Sequence, residues 1–251
     1  MTTQLQTIQG DKVNSKAVDS KWKSLYKVGG VSALIIGILL IVEMIFYIAT
    51  SAPSLADVAG WFALFQNNRF VGLIDFGILE LYALALFVPM FLALYAALRR
   101  TSEGAMTTAA ILAFVGIAAN FATNKLFPLL TLSDLYAAAT TAVQKSQFLA
   151  AGQATLALGA LGGIGGSVEG GIPVAVAGLI ISAIMLRSNI MGRAVGFIGI
   201  LANGIGAVMY INAAAAPAMA GSPFFVVFFM LSVIWFILIA RGLFQIAGQE
   251  G

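Results

Sequence analysis

Six side chains hold most of the chemistry this sequence offers: Glu43, Asp75, Glu80, Asn120, Asn124 and Lys125, each set within or at the end of a long apolar run. A carboxylate or ammonium turned toward acyl chains costs roughly 2.5 to 3.5 kcal/mol, so such groups are expected to face inward and pair. Asp75 with Lys125 is the expected ion pair. Glu43 or Glu80 is then left as the unpaired carboxyl. Asn120 and Asn124 lie four residues apart on one helical face beside Lys125, so the six together would line a polar cavity. That cavity reads either as a site for a cation, a proton or a small polar solute, or as a structural ion pair that fixes helix register beside a neutralised glutamate.

Other chemistry is excluded by composition. The chain has 0 histidines and 0 cysteines, which removes disulfides, thiolate and imidazole metal sites and the commonest general base. No metal or cofactor is expected. The stretch Gly159-Ala-Leu-Gly-Gly-Ile-Gly-Gly-Ser-Val-Glu-Gly-Gly171 lacks the Gly-Lys-Ser/Thr ending and the preceding strand of a phosphate loop, and reads as a turn or helix break. An enzyme would have to rest on Glu43, Asp75 and Glu80 alone, so catalysis is not expected.

The elements that must position these residues are membrane spans. Hydrophobic residues make up 61% of the 251-residue chain and charged ones 9%, and the apolar runs are long enough to cross a bilayer as helices. The expected fold is all-α: a transmembrane bundle of six spans with one or two interfacial or re-entrant helices. The spans fall at about 28–50, 70–98, 104–127, 172–186, 194–212 and 222–243. Pro53 to Asn68 has apolar residues at helical spacing and reads as an interfacial helix. A further helix is expected to start at Ser133 as its cap, and 148–161 is left open between crossing, re-entering and lying on the membrane. Residues 1–27 form a basic tail and 28–251 a single transmembrane domain.

Charge sets the orientation. With six spans the Lys-rich tail, Arg99, Arg100, Arg187, Arg193 and Arg241 gather at one side, leaving Arg69, Lys125 and Lys145 for the other. The excess marks the cytoplasmic face, with both termini on it. A pI near 9.3 follows from this topology, and no nucleic-acid partner is expected.

The segment Gly178-Leu-Ile-Ile-Ser-Ala-Ile-Met-Leu-Arg-Ser188 followed by Met191-Gly-Arg-Ala-Val-Gly-Phe-Ile-Gly199 resembles a family of six-span prokaryotic membrane proteins known only as a domain of unknown function. The start Tyr26-Lys-Val-Gly-Gly30 and the Arg99-Arg100 pair after the second span share in the likeness. The resemblance implies the six-span plan from about Lys23 onward and no activity.

Two functional readings follow. In the leading one the protein is a non-enzymatic accessory or scaffold subunit, its small-residue stripes docking onto a partner membrane subunit or a second copy. The alternative is a carrier or channel-like protein that binds a cation or small polar solute at the charge cluster. The first leads because spans four and six offer little inward polar surface.

Overall fold

The computed structural model describes residues 20–54, 56–159, 167–188, 190–215 and 223–248. After a short 3-10 turn at Ser20–Trp22, the chain forms α1 (Lys23–Ala49), α2 (Val58–Asn67), α3 (Arg69–Asp75), α4 (Ile78–Leu98), α5 (Glu103–Thr123), α6 (Leu126–Ala138), α7 (Ala142–Gly159), α8 (Ser167–Ser188), α9 (Arg193–Ala215) and α10 (Pro223–Gly248). Among the described residues, 6 stretches are long and apolar enough to cross a membrane, in α1, α4, α5 running on into α6, α8, α9 and α10. The protein is an all-helical membrane protein.

The long helices form two layers of three. In one, α1 lies between α4 and α10; in the other, α8 lies between α5 and α9. The layers meet where α4 touches α5 and α8, and where α10 touches α9, so the six helices close into a ring. Small residues permit this closeness. An added Cβ at Gly29 would collide with Ala93 of α4, one at Gly30 would lie 2.9 Å from the Phe244 ring of α10, and one at Gly178 would collide with Asn203 of α9.

These contacts fix which helix ends share a side. Gly29 and Gly30 near the start of α1 meet Leu243 and Phe244 near the end of α10. Arg99, just after α4, lies 5.7 Å from the Trp22 ring centroid. Gly171 of α8 meets Tyr210 of α9 while Gly196 meets Leu186, so those two helices also run antiparallel. Arg99, Arg187, Arg193 and the start of α1 therefore gather at one end, as the charge pattern requires.

At the opposite end, α2, α3, α6 and α7 form a cap in which α2 packs on α3, α6 and α7. Three sequence readings are corrected here. Span two is not one helix from 70 to 98: it breaks at Phe76 and Gly77, where Gly77 takes φ 95°, a left-handed conformation suited to glycine. The Phe76 ring locks the break by lying 4.8 Å from Trp61 and 5.9 Å from Phe65, edge-on. In the segment 53–68, read as an interfacial helix, one face with Val58, Trp61, Phe62 and Phe65 is buried within the cap.

Ser133 does not start a helix. It sits inside α6, fully buried, donating to the Phe62 carbonyl at 3.2 Å and accepting from Gln66 at 3.0 Å. The stretch 148–161 belongs up to Gly159 to α7, which packs on α6 and α2 and is not among the candidate spans. Span four begins earlier than expected, with α8 starting at Ser167 inside the glycine-rich stretch. Residues 160–166 of that stretch lie outside the described residues.

Candidate functional site between the layers

The seam between α1 and α4 is pinned at both ends. Gly29 meets Ala93 and the Pro89 carbonyl at one end, and the Thr50 hydroxyl donates to the Asp75 carboxylate at 2.9 Å at the other. Gly29, Ile36, Glu43 and Thr50 recur every seven residues, which places them on one face of α1. Glu43 lies seven residues in from Thr50, and Glu80 five residues in from Asp75, on helices running in opposite directions. The two glutamates thus lie on adjoining helices, one to two turns inside the Thr50–Asp75 contact.

Glu43, Glu80 and Tyr210 lie within electrostatic range of one another. Tyr210 comes from α9, in the facing layer. Its ring is held 6.4 Å edge-on from Phe228 of α10, and it packs so tightly on α8 that a Cβ at Gly171 would stand 2.7 Å from its ring. Among the described residues no hydrogen bond or ion pair reaches either glutamate. Both glutamates are half-buried.

Asp75 is the rim of this site rather than its centre. Burial pushes its carboxyl above the ordinary 3.8, and the Thr50 hydroxyl pulls it partly back. The expected Asp75–Lys125 pair does not form. The turn at Gly77 sets Asp75 beneath α1, whereas Lys125 stands at the α5–α6 junction of the other layer, and among the described residues the ion pair is Arg69 with Asp134 at 3.1 Å. That pair is half-exposed, and pairs of its kind contribute little.

The asparagines serve the backbone. Asn120 is buried, donates to the Gly116 carbonyl at 3.1 Å, and packs against Gly170 where α5 crosses α8. Asn124 accepts from the Leu126 amide at 2.9 Å and so ties down the first turn of α6. Of the six residues singled out by sequence, Glu43, Asp75 and Glu80 lie along α1, the end of α3 and α4, and Asn120, Asn124 and Lys125 stand apart.

Tyr210 is the residue that sequence reasoning missed. A signal for it existed: Gly199, Asn203, Gly206 and Tyr210 follow one another at intervals of four, three and four, a stripe of small and polar residues on one face of α9. Asn203 donates to the Gly199 carbonyl at 2.8 Å and presses on Gly178. Further along, Ser182 Oγ and Trp235 Nε1 are buried without a partner and converge beside Gly199.

Fold and site together define an integral membrane protein with two half-buried carboxyls in the layer of α1 and α4. Comparison with protein-family models, with curated proteins and with solved structures finds no match to this chain.

Proposed function

We propose that the protein is a carrier that binds a cation, a proton or a small polar solute at Glu43 and Glu80, with Tyr210 closing the site from the facing layer. The observation that carries this reading is two carboxyls, Glu43 of α1 and Glu80 of α4, set within candidate spans on adjoining helices with no basic partner among the described residues. A structural ion pair needs an opposite charge. Two like charges in low dielectric repel, and the arrangement is relieved by a cation between them or a proton on one. Tyr210 adds a polar group from span five to those of spans one to three.

The orientation is part of the proposal. The Lys/Arg-rich end faces the cytoplasm by the positive-inside rule, which sets the capped end and the Thr50–Asp75 rim toward the exoplasmic side.

The test is flux into proteoliposomes, read with protons, Na+ and K+ in turn. Glu43→Gln and Glu80→Gln are expected to abolish the flux that the wild type supports, and Tyr210→Phe to reduce it. Wild-type flux that persists unchanged in both glutamine variants removes the pair from the function. Absence of flux for all probes, together with co-purification of a stoichiometric second chain, returns the protein to the subunit reading.

A further inference from the structure

On the outside of the ring, away from the acidic pair, α1 and α10 leave an open groove of about 480 Å³ lined by Leu34, Ile237, Ala240, Arg241, Phe244 and Gln245. Its walls are apolar and its head is cationic. Leu34, Ile237 and Phe244 expose 41%, 44% and 38% of their surface, as expected of residues that touch acyl chains. Arg241 is exposed on the same outer surface, seven residues and roughly 10 Å before the end of α10.

A guanidinium at that depth on a lipid-facing surface must reach an anion or water. Among the described residues no carboxylate pairs with Arg241. Lys27 is exposed on the face of α1 that carries Leu34, two turns nearer the basic end. Since Gly30 meets Phe244, Lys27 is brought alongside Gln245 and the far end of α10. The groove is thus an apolar trough that holds one cation and one amide, Arg241 and Gln245, with Lys27 exposed just beyond its lining.

We infer that the α1–α10 groove binds an anionic phospholipid, one acyl chain lying along Leu34, Ile237 and Phe244 and the phosphate held by Arg241 and Lys27. A zwitterionic lipid fills the trough equally well but keeps a counter-charge beside its phosphate. The two cations therefore select for net negative headgroups. This inference does not depend on what the acidic pair binds.

The experiment is native mass spectrometry of the full-length protein released from bilayers of phosphatidylcholine and phosphatidylglycerol. Wild type is expected to retain phosphatidylglycerol preferentially. Arg241→Gln and Lys27→Gln are each expected to cut that preference by roughly fivefold, about the contribution of one basic residue near a membrane surface. Arg241→Lys is expected to keep most of it. Arg193→Gln, an exposed cation at the same end but on α9, is expected to change nothing. Equal losses in the Arg193 and Arg241 variants mean a diffuse surface charge and overturn the site, as does an unchanged preference in Arg241→Gln. If Arg241→Gln does not fold, Leu34→Trp carries the test by filling the trough: loss of the retained lipid supports the site, and undiminished phosphatidylglycerol retention overturns it.

Discussion

Glu43, Glu80 and Asp75 share one seam yet meet different surroundings, and the difference decides what each can do. Asp75 accepts a hydrogen bond from Thr50 and keeps one oxygen sealed without a partner. Its carboxyl is therefore held above its ordinary 3.8 by burial. An acid whose folded value is raised binds its proton more tightly in the folded state. It contributes stability fully present below pH 3.8, lost as pH rises through the folded value. Asp75→Asn is accordingly expected to raise the Tm at neutral pH relative to wild type and to flatten its fall with pH. A lower Tm in the variant at pH 7 contradicts this. Thr50→Val should act oppositely, costing about 1 kcal/mol by removing a hydrogen bond to a part-buried carboxylate. Gly199 offers a separate check at this scale. A methyl there runs into Ser182 and Trp235, so Gly199→Ala is expected to destabilise by about 1 to 3 kcal/mol, measured as a lowered Tm in detergent.

At the scale of elements, the break between α3 and α4 is what brings Asp75 under Thr50. Gly77 sustains that break at φ 95°. Gly77→Ala is expected to cost about 1 kcal/mol or more, since alanine there is strained in the left-handed region. A Tm equal to wild type shows that the turn does not need glycine. The apolar runs and their charged ends made the six spans legible, because bilayer thickness demands a fixed length of helix and the cytoplasmic bias of Lys and Arg orders them. The break at Gly77 was hidden by the same property: Phe70 to Leu98 is apolar throughout apart from a few polar residues, and hydropathy does not register backbone direction. The expected Asp75–Lys125 pair failed for a related reason. Depth along a helix can be counted from sequence, but which layer a helix joins is set by packing, and α5 joins α8 rather than α1. Ser133 shows the reverse error, a cap-forming residue type placed mid-helix, where its hydroxyl binds Phe62 and Gln66 instead.

For the whole molecule, the decisive feature is that the acidic pair belongs to one layer and Tyr210 to the other. The middle helices α1 and α8 each grip two neighbours, and the layers meet along α4 with α5 and α8, along α9 with α10, and where Ser182 of α8 and Trp235 of α10 converge at Gly199. Two layers of three helices that meet along separate seams are suited to rocking against each other, the motion by which many carriers expose a midplane site to each side in turn. A chain with 0 native cysteines allows that motion to be blocked at chosen seams. Cysteines at Gly206 of α9 and Phe228 of α10 bridge the layers, since a Cβ at Gly206 lies 2.7 Å from the Phe228 ring. Cysteines at Gly37 of α1 and Phe236 of α10 lie within one layer, where the corresponding Cβ atoms stand 3.9 Å apart. With a short bifunctional thiol reagent, the Gly206–Phe228 link is expected to stop flux and the Gly37–Phe236 link to spare it, with a cleavable reagent restoring transport once reduced. If both links leave flux intact, the layers do not move against each other during transport. If the Gly37–Phe236 link alone stops it, the motion runs through α1 and α10, and the division into two rigid layers is wrong.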